Sequence, residues 1–218
     1  MIPAVKQVIE LKLRLKSKGV IKPNGKILNI RRRGKRMPRY IGIDPSTKCG
    51  FVALDGLGNV VEKMDVVGDA VKDPERMVTL VAKLMRMLQP DDVVAIEGYA
   101  FGAQGQGLKF QYGLGEMIRG ELFKLGYKPI EVAPAQLKKF ATGKGNTKKD
   151  EMVMPIFRCW EFEHKSDNVR DAFVLAQIAL GLSISDPERL KDEYYIYQIE
   201  VLEAIENPVV KKKKVRGA

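Results

Sequence analysis

Apolar positions change period along this chain, and the changes divide it into elements. Tyr40-Ile41-Gly42-Ile43-Asp44 is a short apolar run ending in an acid. Gly50 to Leu54 and Val60 to Val67 predict two further strands, separated by the turn-rich Asp55-Gly56-Leu57-Gly58-Asn59, so the three form an antiparallel meander. Pro74 to Leu88 then places Met77, Leu80, Val81, Leu84 and Leu88 on one helical face, and Val93-Val94-Ala95-Ile96-Glu97 is a second buried strand with an acid at its end. Beyond a glycine-rich stretch from Gly98 to Gly107, Leu108 to Leu125 predicts a helix and Lys128 to Val132 a fifth strand. Pro134 to Phe140 predicts a brief helix, Lys148 to Cys159 another, Asp167 to Leu182 a strongly helical run, and Pro187 to Glu206 a last one. Three strands followed by alternating helices and strands describe a mixed α/β sheet with helices on its faces.

Charge adds an outline of the domains. Residues 1–39 carry thirteen Lys or Arg against the single acid Glu10, and the tail from Lys211 adds five more basic residues, a sum of +17. The stretch from Tyr40 to Val210 holds twenty basic and twenty-six acidic residues, or −6, which returns the total of +11. The basic character belongs to the ends. Pro3 to Lys18 predicts a short basic helix and Ile30 to Arg36 an arm, so residues 1–38 form a basic extension, 39–182 the folded domain, and 183–218 a helix with a basic tail. Such runs suit phosphate backbones, although solubilising tails have the same composition. Lys211 to Lys214 also fits a nuclear-localisation run, a pattern with many false matches.

No apolar run approaches the roughly 18 residues of a membrane span, and Met1 to Gln7 lacks the order of a secretory signal. Two distant cysteines, Cys49 and Cys159, make neither a disulfide framework nor a zinc knuckle and are expected to be reduced core residues of a cytoplasmic protein.

Chemistry is concentrated in the acids. Asp44 and Glu97 both terminate buried strands, and adjacent parallel strands would bring the two carboxylates together. Like charges in one place call for a cation, and a pair of Mg²⁺ ions bound by carboxylates activates water and stabilises the leaving oxygen in phosphodiester cleavage. Strand-end acids also cap turns, so Asp171 decides between the readings. It precedes Ala172-Phe173-Val174-Leu175-Ala176, sits by the buried face of its helix, and needs a partner that a metal would supply. Asp167 lies one helical turn earlier, where Ser166 or Asp167 is also a natural N-cap.

These residues resemble the RuvC-type Holliday junction resolvases of the RNase H-like superfamily. Ile41 to Phe51, with Asp44, is similar to the first motif of that family, and Ala95-Ile96-Glu97 to the second. Pro134 to Lys149 is similar to its basic helix, Thr-Gly-x-Gly turn and lysines, and Asp171-Ala172-Phe173-Val174-Leu175-Ala176 to its terminal Asp-Ala motif. The resemblance covers roughly Arg39 to Leu182. It implies an RNase H-like mixed five-stranded sheet flanked by helices, and a homodimeric DNA endonuclease that nicks two strands of a four-way junction symmetrically. Asp44, Glu97, Asp171 and Asp167 would hold two Mg²⁺ ions, with Mn²⁺ able to substitute. Asn168 stands where that family has its other late acid or a histidine, three residues before Asp171, so Asp167, Asn168 and His164 compete for the role of fourth ligand.

The same likeness places an aromatic side chain into the junction just after the second acid, where Tyr99 and Phe101 are the candidates and core packing is the alternative. Lys144, Lys148 and Lys149 lie on a glycine-containing turn that leads into a helix, which fits phosphate contact, whereas Lys138 and Lys139 also fit a solvated helical face. Gln104 and Gln106 fit DNA contact or solvation equally. Three rivals follow: a broader branched-DNA or flap nuclease, a non-catalytic junction-binding protein, and an actin-like kinase or ATPase, whose first phosphate loop is similar to Ile41 to Thr47. The last needs two such domains and a second Asp-Gly-Gly-type loop, which the chain lacks.

Overall fold

A computed structural model describes residues 37–99 and 107–208, the side chains of 107–109 excepted. The expected basic helix and arm, Phe101, Gln104, Gln106 and the tail from Lys211 lie outside the described residues.

The strand Tyr40–Asp44 (β1) is buried along its whole length, as expected for a strand covered on both faces. Its neighbours are Cys49–Leu54 (β2), also buried throughout, and Val93–Glu97 (β4). Val60–Val66 (β3) exposes most of its side chains because it lies at the sheet edge, and Ile130–Val132 (β5) closes the other edge. The order is β3-β2-β1-β4-β5, with β1, β2 and β3 antiparallel and β1, β4 and β5 parallel. The meander and the mixed sheet predicted from periodicity are both present. Arg39 sets the start of the β1–β4 pairing, because its guanidinium donates to both oxygens of Asp92, at 3.0 and 2.7 Å, immediately before β4.

Alternation along β1 divides the apolar residues between two cores. Ile41 and Ile43 face Glu75–Met87 (α1) and Gly107–Lys124 (α2), packing with Leu80, Leu84, Leu114 and Ile118. Tyr40 faces the opposite layer, built from Pro134–Thr142 (α3), Val153–Trp160 (α4), Asp167–Leu182 (α5) and the C-terminal Ile196–Glu206 (α7). Pro187–Glu193 (α6) precedes α7.

Two helical stretches differ from expectation. The one predicted over Lys148 to Cys159 opens as a 3₁₀ turn, Asp150–Met152, and becomes α-helical only at Val153. Pro155 has no N–H to donate, so regular α-helical bonding is weakened there. The one predicted over Pro187 to Glu206 divides at Tyr194 and Tyr195, both extended. Tyr194 turns inward to pack on Phe140, and its hydroxyl donates to the carbonyl of Gln177 at 3.2 Å. Burial of that ring outweighs helical continuity.

Helix α5 lies unusually close to the sheet. A Cβ placed on Gly42 would meet the carbonyl oxygen of Ala172 at 1.8 Å, and one on Gly50 the carbonyl oxygen of Asn168 at 2.0 Å. Both obstacles are backbone. Only hydrogen side chains let the first turns of α5 rest against β1 and β2, so Gly42→Ala is expected to cost about 1–3 kcal/mol or more. That corresponds to a drop of about 2–4 °C in Tm per kcal/mol. Gly120→Ala, in the interior of α2 where the new methyl group would meet nothing within 4 Å beyond the helix's own adjoining backbone, should instead stabilise by about 0.5–1 kcal/mol. Thermal denaturation of the two variants checks both signs.

Candidate active site

Ile43 pairs with Ile96 in the parallel β1–β4 ladder, so the residues that follow, Asp44 and Glu97, leave the sheet side by side. Their carboxyl groups are hydrogen-bond partners. Asp171 reaches the same place from the first turns of α5, which the glycine contacts hold against the sheet. Asp44 is 2% exposed and Asp171 5%. Three acids distant in the chain thus lie within reach of one another's charge.

Electrostatics follow from that burial. Asp44 is pushed well above the usual carboxylate range, by loss of water first and by the charges of Glu97 and Asp171 next. Glu97 rises to about 7, again through burial and then through Asp171. Burial also raises Asp171, against the opposing pull of Lys149. The ammonium of Lys149 lies 3.1 Å from Asp171 and 2.9 Å from Asp167, bridging the two acids of α5. Burial alone would lower the pKa of Lys149, but the surrounding acids outweigh it and hold the ammonium more firmly charged than usual. Asp167, more exposed, is held below the usual carboxylate range by its hydrogen bond to Lys149.

The partner that Asp171 requires is therefore, in this structure, a lysine. Among the described residues no three carboxylate, thiol or imidazole side chains are gathered closely enough to be a ready-made metal site. The donor set nevertheless suits a hard divalent cation, because it consists of carboxylate oxygens whose mutual repulsion only positive charge or protons relieve.

The three rivals for the fourth position are separated in space. Asn168 donates its amide to the carbonyl of Lys48 at 2.8 Å, tying α5 to the β1–β2 connection. His164 is used in the turn before α5: its Nδ1 accepts from the N–H of Ser166, and its carbonyl accepts from Arg170. Ser166 is the N-cap, its hydroxyl accepting from Val169. Asp167 is left as the one joined to Asp171, through Lys149.

Lys144 and Lys148 are exposed on the turn after α3, as phosphate contact requires, whereas Lys149 points to the carboxylates. Gly143 closes α3 with φ of +82°, a left-handed conformation that favours glycine. The turn is internally bonded: Thr147 donates to the carbonyl of Lys144 at 2.8 Å, and the hydroxyls of Thr142 and Thr147 are 2.8 Å apart.

Tyr99, just past Glu97, is held from α2. Arg119 lies over its ring at 4.6 Å, Tyr112 meets it edge-on, and its hydroxyl donates to Glu116. Arg119 also donates to the carbonyl of Glu97 at 3.0 Å and pairs with Glu131 at 2.9 Å, so it pins the exit of β4. Sequence reasoning missed Arg119, since nothing local distinguishes it from other helical arginines. It also left open Lys138, whose charge draws down the pKa of Glu97. The density of lysines between Pro134 and Lys149 was the available signal.

No family model matches the chain. Among curated proteins it is similar to the crossover junction endodeoxyribonuclease RuvC of Synechococcus sp. (strain WH7803), 24% identical over 147 residues that make up 63% of this chain and 95% of that protein. Among solved structures it resembles Thermus thermophilus RuvC, with TM-score 0.51 and 22% identity over 62% of this chain and 89% of the other. It likewise resembles T. thermophilus RuvC in complex with Holliday junction substrate, with TM-score 0.52 and 18% identity over 64% and 90% of the two chains. The fold is that of the RNase H-like α/β proteins. Within that class the likeness to RuvC read from the motifs is borne out in sequence and in fold.

The raised pKa of Glu97 gives a stability signature with a definite sign. Between the ordinary value of 4.5 and about 7 the native state holds a proton that the unfolded chain releases. The contribution is therefore fully present below 4.5 and is lost as pH rises through about 7. In metal-free protein, Glu97→Gln should flatten this decline. At pH 8 it should melt at least about 2–4 °C above wild type, the shift that 1 kcal/mol produces in a chain of this size. Melting curves across that range in the presence of a chelator would count against the arrangement if the two proteins ran parallel.

Proposed function

We propose that this protein is a metal-dependent DNA endonuclease that resolves four-way junctions by paired symmetric nicks. The observation that carries the reading is the meeting of Asp44, Glu97 and Asp171 at one end of a RuvC-like sheet. Their likeness in order and setting to the RuvC motifs supports the same chemistry here.

Asp44, Glu97 and Asp171 would hold two Mg²⁺ ions, or Mn²⁺ in their place, with Asp167 the favoured fourth ligand because Asn168 and His164 are engaged elsewhere. Bound there, the ions supply Lewis acidity that lowers the pKa of an attacking water and stabilises the departing oxygen. The chain's own residues supply the rest. Arg119 fixes the backbone on which Glu97 stands and orients the Tyr99 ring beside it, an aromatic surface suited to an unstacked base. Phe101 is its alternative in that role. Lys149 neutralises Asp167 and Asp171 in the free protein, and its ammonium is placed to turn to a scissile phosphate once those acids find another cation. Lys144 and Lys148 contact the backbone from the adjoining turn, and the basic extensions, 1–38 and the tail of 183–218, hold the junction arms. Two such sites in a homodimer would give two nicks, and the protein would work where the DNA is, in the cytoplasm.

With a labelled four-way junction and Mg²⁺, wild type should nick two strands of like sequence, and a chelator should stop the reaction. Asp44→Asn should lower the rate by on the order of 10²-fold or more, since the carboxylate that gathers positive charge is gone. Equal cutting of linear duplex would favour a broader nuclease, and tight binding without cutting in Mg²⁺ would favour a junction-binding protein. A distinct outcome concerns the tail. Replacing Lys211 to Lys214 with Ala should weaken binding to all branched DNA alike and reduce the slope of log affinity against log salt by about 0.9 for each phosphate that the tail no longer neutralises. Titrations at several salt concentrations read that slope.

A further inference from the structure

RuvC proteins similar to this one are matched over 89–95% of their own length by only 62–64% of this chain, and the motif likeness ends near Leu182. Helix α7 follows that point, yet it is not a loose appendage. Val201 and Leu202 are buried, and Leu202 lies against Gly181 at the end of α5. Its first turn packs on the ends of α3 and α4, the two helices that bracket the lysine-bearing turn.

Three contacts make that packing specific. Gln198, 1% exposed, donates its amide to the carbonyl of Phe140 at 3.0 Å. That carbonyl lies in the last turn of α3, where carbonyls lack a helical partner; the following Lys144 N–H donates instead to the hydroxyl of Thr142. The ring of Tyr197 lies over Gly143, its atoms 3.8–3.9 Å from where a Cβ would stand. The hydroxyl of the same tyrosine lies beside the Cys159 thiol on α4. One side chain thus touches the structure before the turn and the structure after it. The exposed Lys139–Glu200 pair, 2.8 Å, adds a weaker tie. Within the bracket lie Lys144 and Lys148, and then Lys149, which reaches Asp167 and Asp171.

We propose that α7 is a brace on the segment Gly143–Lys149, and that Tyr197 and Gln198 are positioning residues which set where Lys149 stands relative to the carboxylates. The proposal rests on the nuclease reading for its consequence in activity, but the brace itself is measurable without cleavage. Neither residue approaches Asp44, Glu97 or Asp171 directly; both act through the turn.

The test uses full-length wild type, Tyr197→Ala, Tyr197→Phe and Gln198→Ala. Amide hydrogen exchange is followed by mass spectrometry in metal-free protein. Single-turnover nicking of a labelled four-way junction is measured at saturating protein in Mg²⁺, and junction affinity in Ca²⁺. Tyr197→Ala and Gln198→Ala should accelerate exchange in peptides spanning 140–152 while leaving those of β1 and β4 unchanged. They should lower the saturated nicking rate on the order of tenfold, as small misplacements of reacting groups do, with little change in affinity. Tyr197→Phe keeps the ring over Gly143 and should behave nearly as wild type. The proposal is overturned by unchanged exchange in 140–152, by acceleration spread evenly over the chain, or by a saturated rate equal to wild type. Should wild type itself fail to nick the junction, the nuclease reading falls, and the exchange pattern alone decides the brace.

Discussion

Burying like charges together is unfavourable unless something positive accompanies them, and the architecture of this protein is arranged around that requirement. Asp44 and Glu97 are forced into contact by the register of two parallel strands, and Asp171 is brought to them by a helix lying directly on the sheet. Solvent cannot screen them, since Asp44 and Asp171 are almost wholly buried. The raised pKa values of all three express the same fact: the locus favours positive charge, which protons and the ammonium of Lys149 supply.

The two faces of the sheet serve that locus differently. On one, α1 and α2 pack apolar side chains beneath β1 and β4, and α2 sends Arg119 to the exit of β4, where it fixes Glu97 and Tyr99. On the other, α5 brings Asp171 and Asp167, while α3, α4 and α7 surround the turn that delivers Lys149. The acids are thus set by strands and a buried helix, which are rigid. The compensating lysine is set by a turn, whose position depends on the elements packed around it. Under the proposed function, that difference would suit a side chain that exchanges carboxylate partners for phosphate.

Much of this was legible beforehand because burial leaves a local trace. Acids closing the apolar runs at Asp44 and Glu97, and an acid opening the uninterrupted apolar helix at Asp171, are anomalies that a sequence displays openly. The parallel pairing of their strands followed from the connectivity. Asp171 was expected to require a partner, and it has one; that the partner in the free protein is Lys149 was not visible, since Lys144, Lys148 and Lys149 look alike along the chain. Arg119 and Tyr197 were invisible for the same reason. Each takes its role from neighbours a dozen or more residues away, and neither breaks any local pattern.

What the amino-acid order determined by itself is most of the elements and their order, the charged ends and the acids that stand at the ends of apolar runs, because periodicity and misplaced polarity are encoded residue by residue. What only the tertiary structure decided is direction and company. It paired Lys149 with Asp167 and Asp171, set Asn168 and His164 to holding turns, broke the last helix so that Tyr194 could enter the core, and laid Tyr197 over Gly143. Those outcomes depend on which surfaces come within a few ångströms of one another, and packing of whole elements, not spacing along the chain, sets such distances.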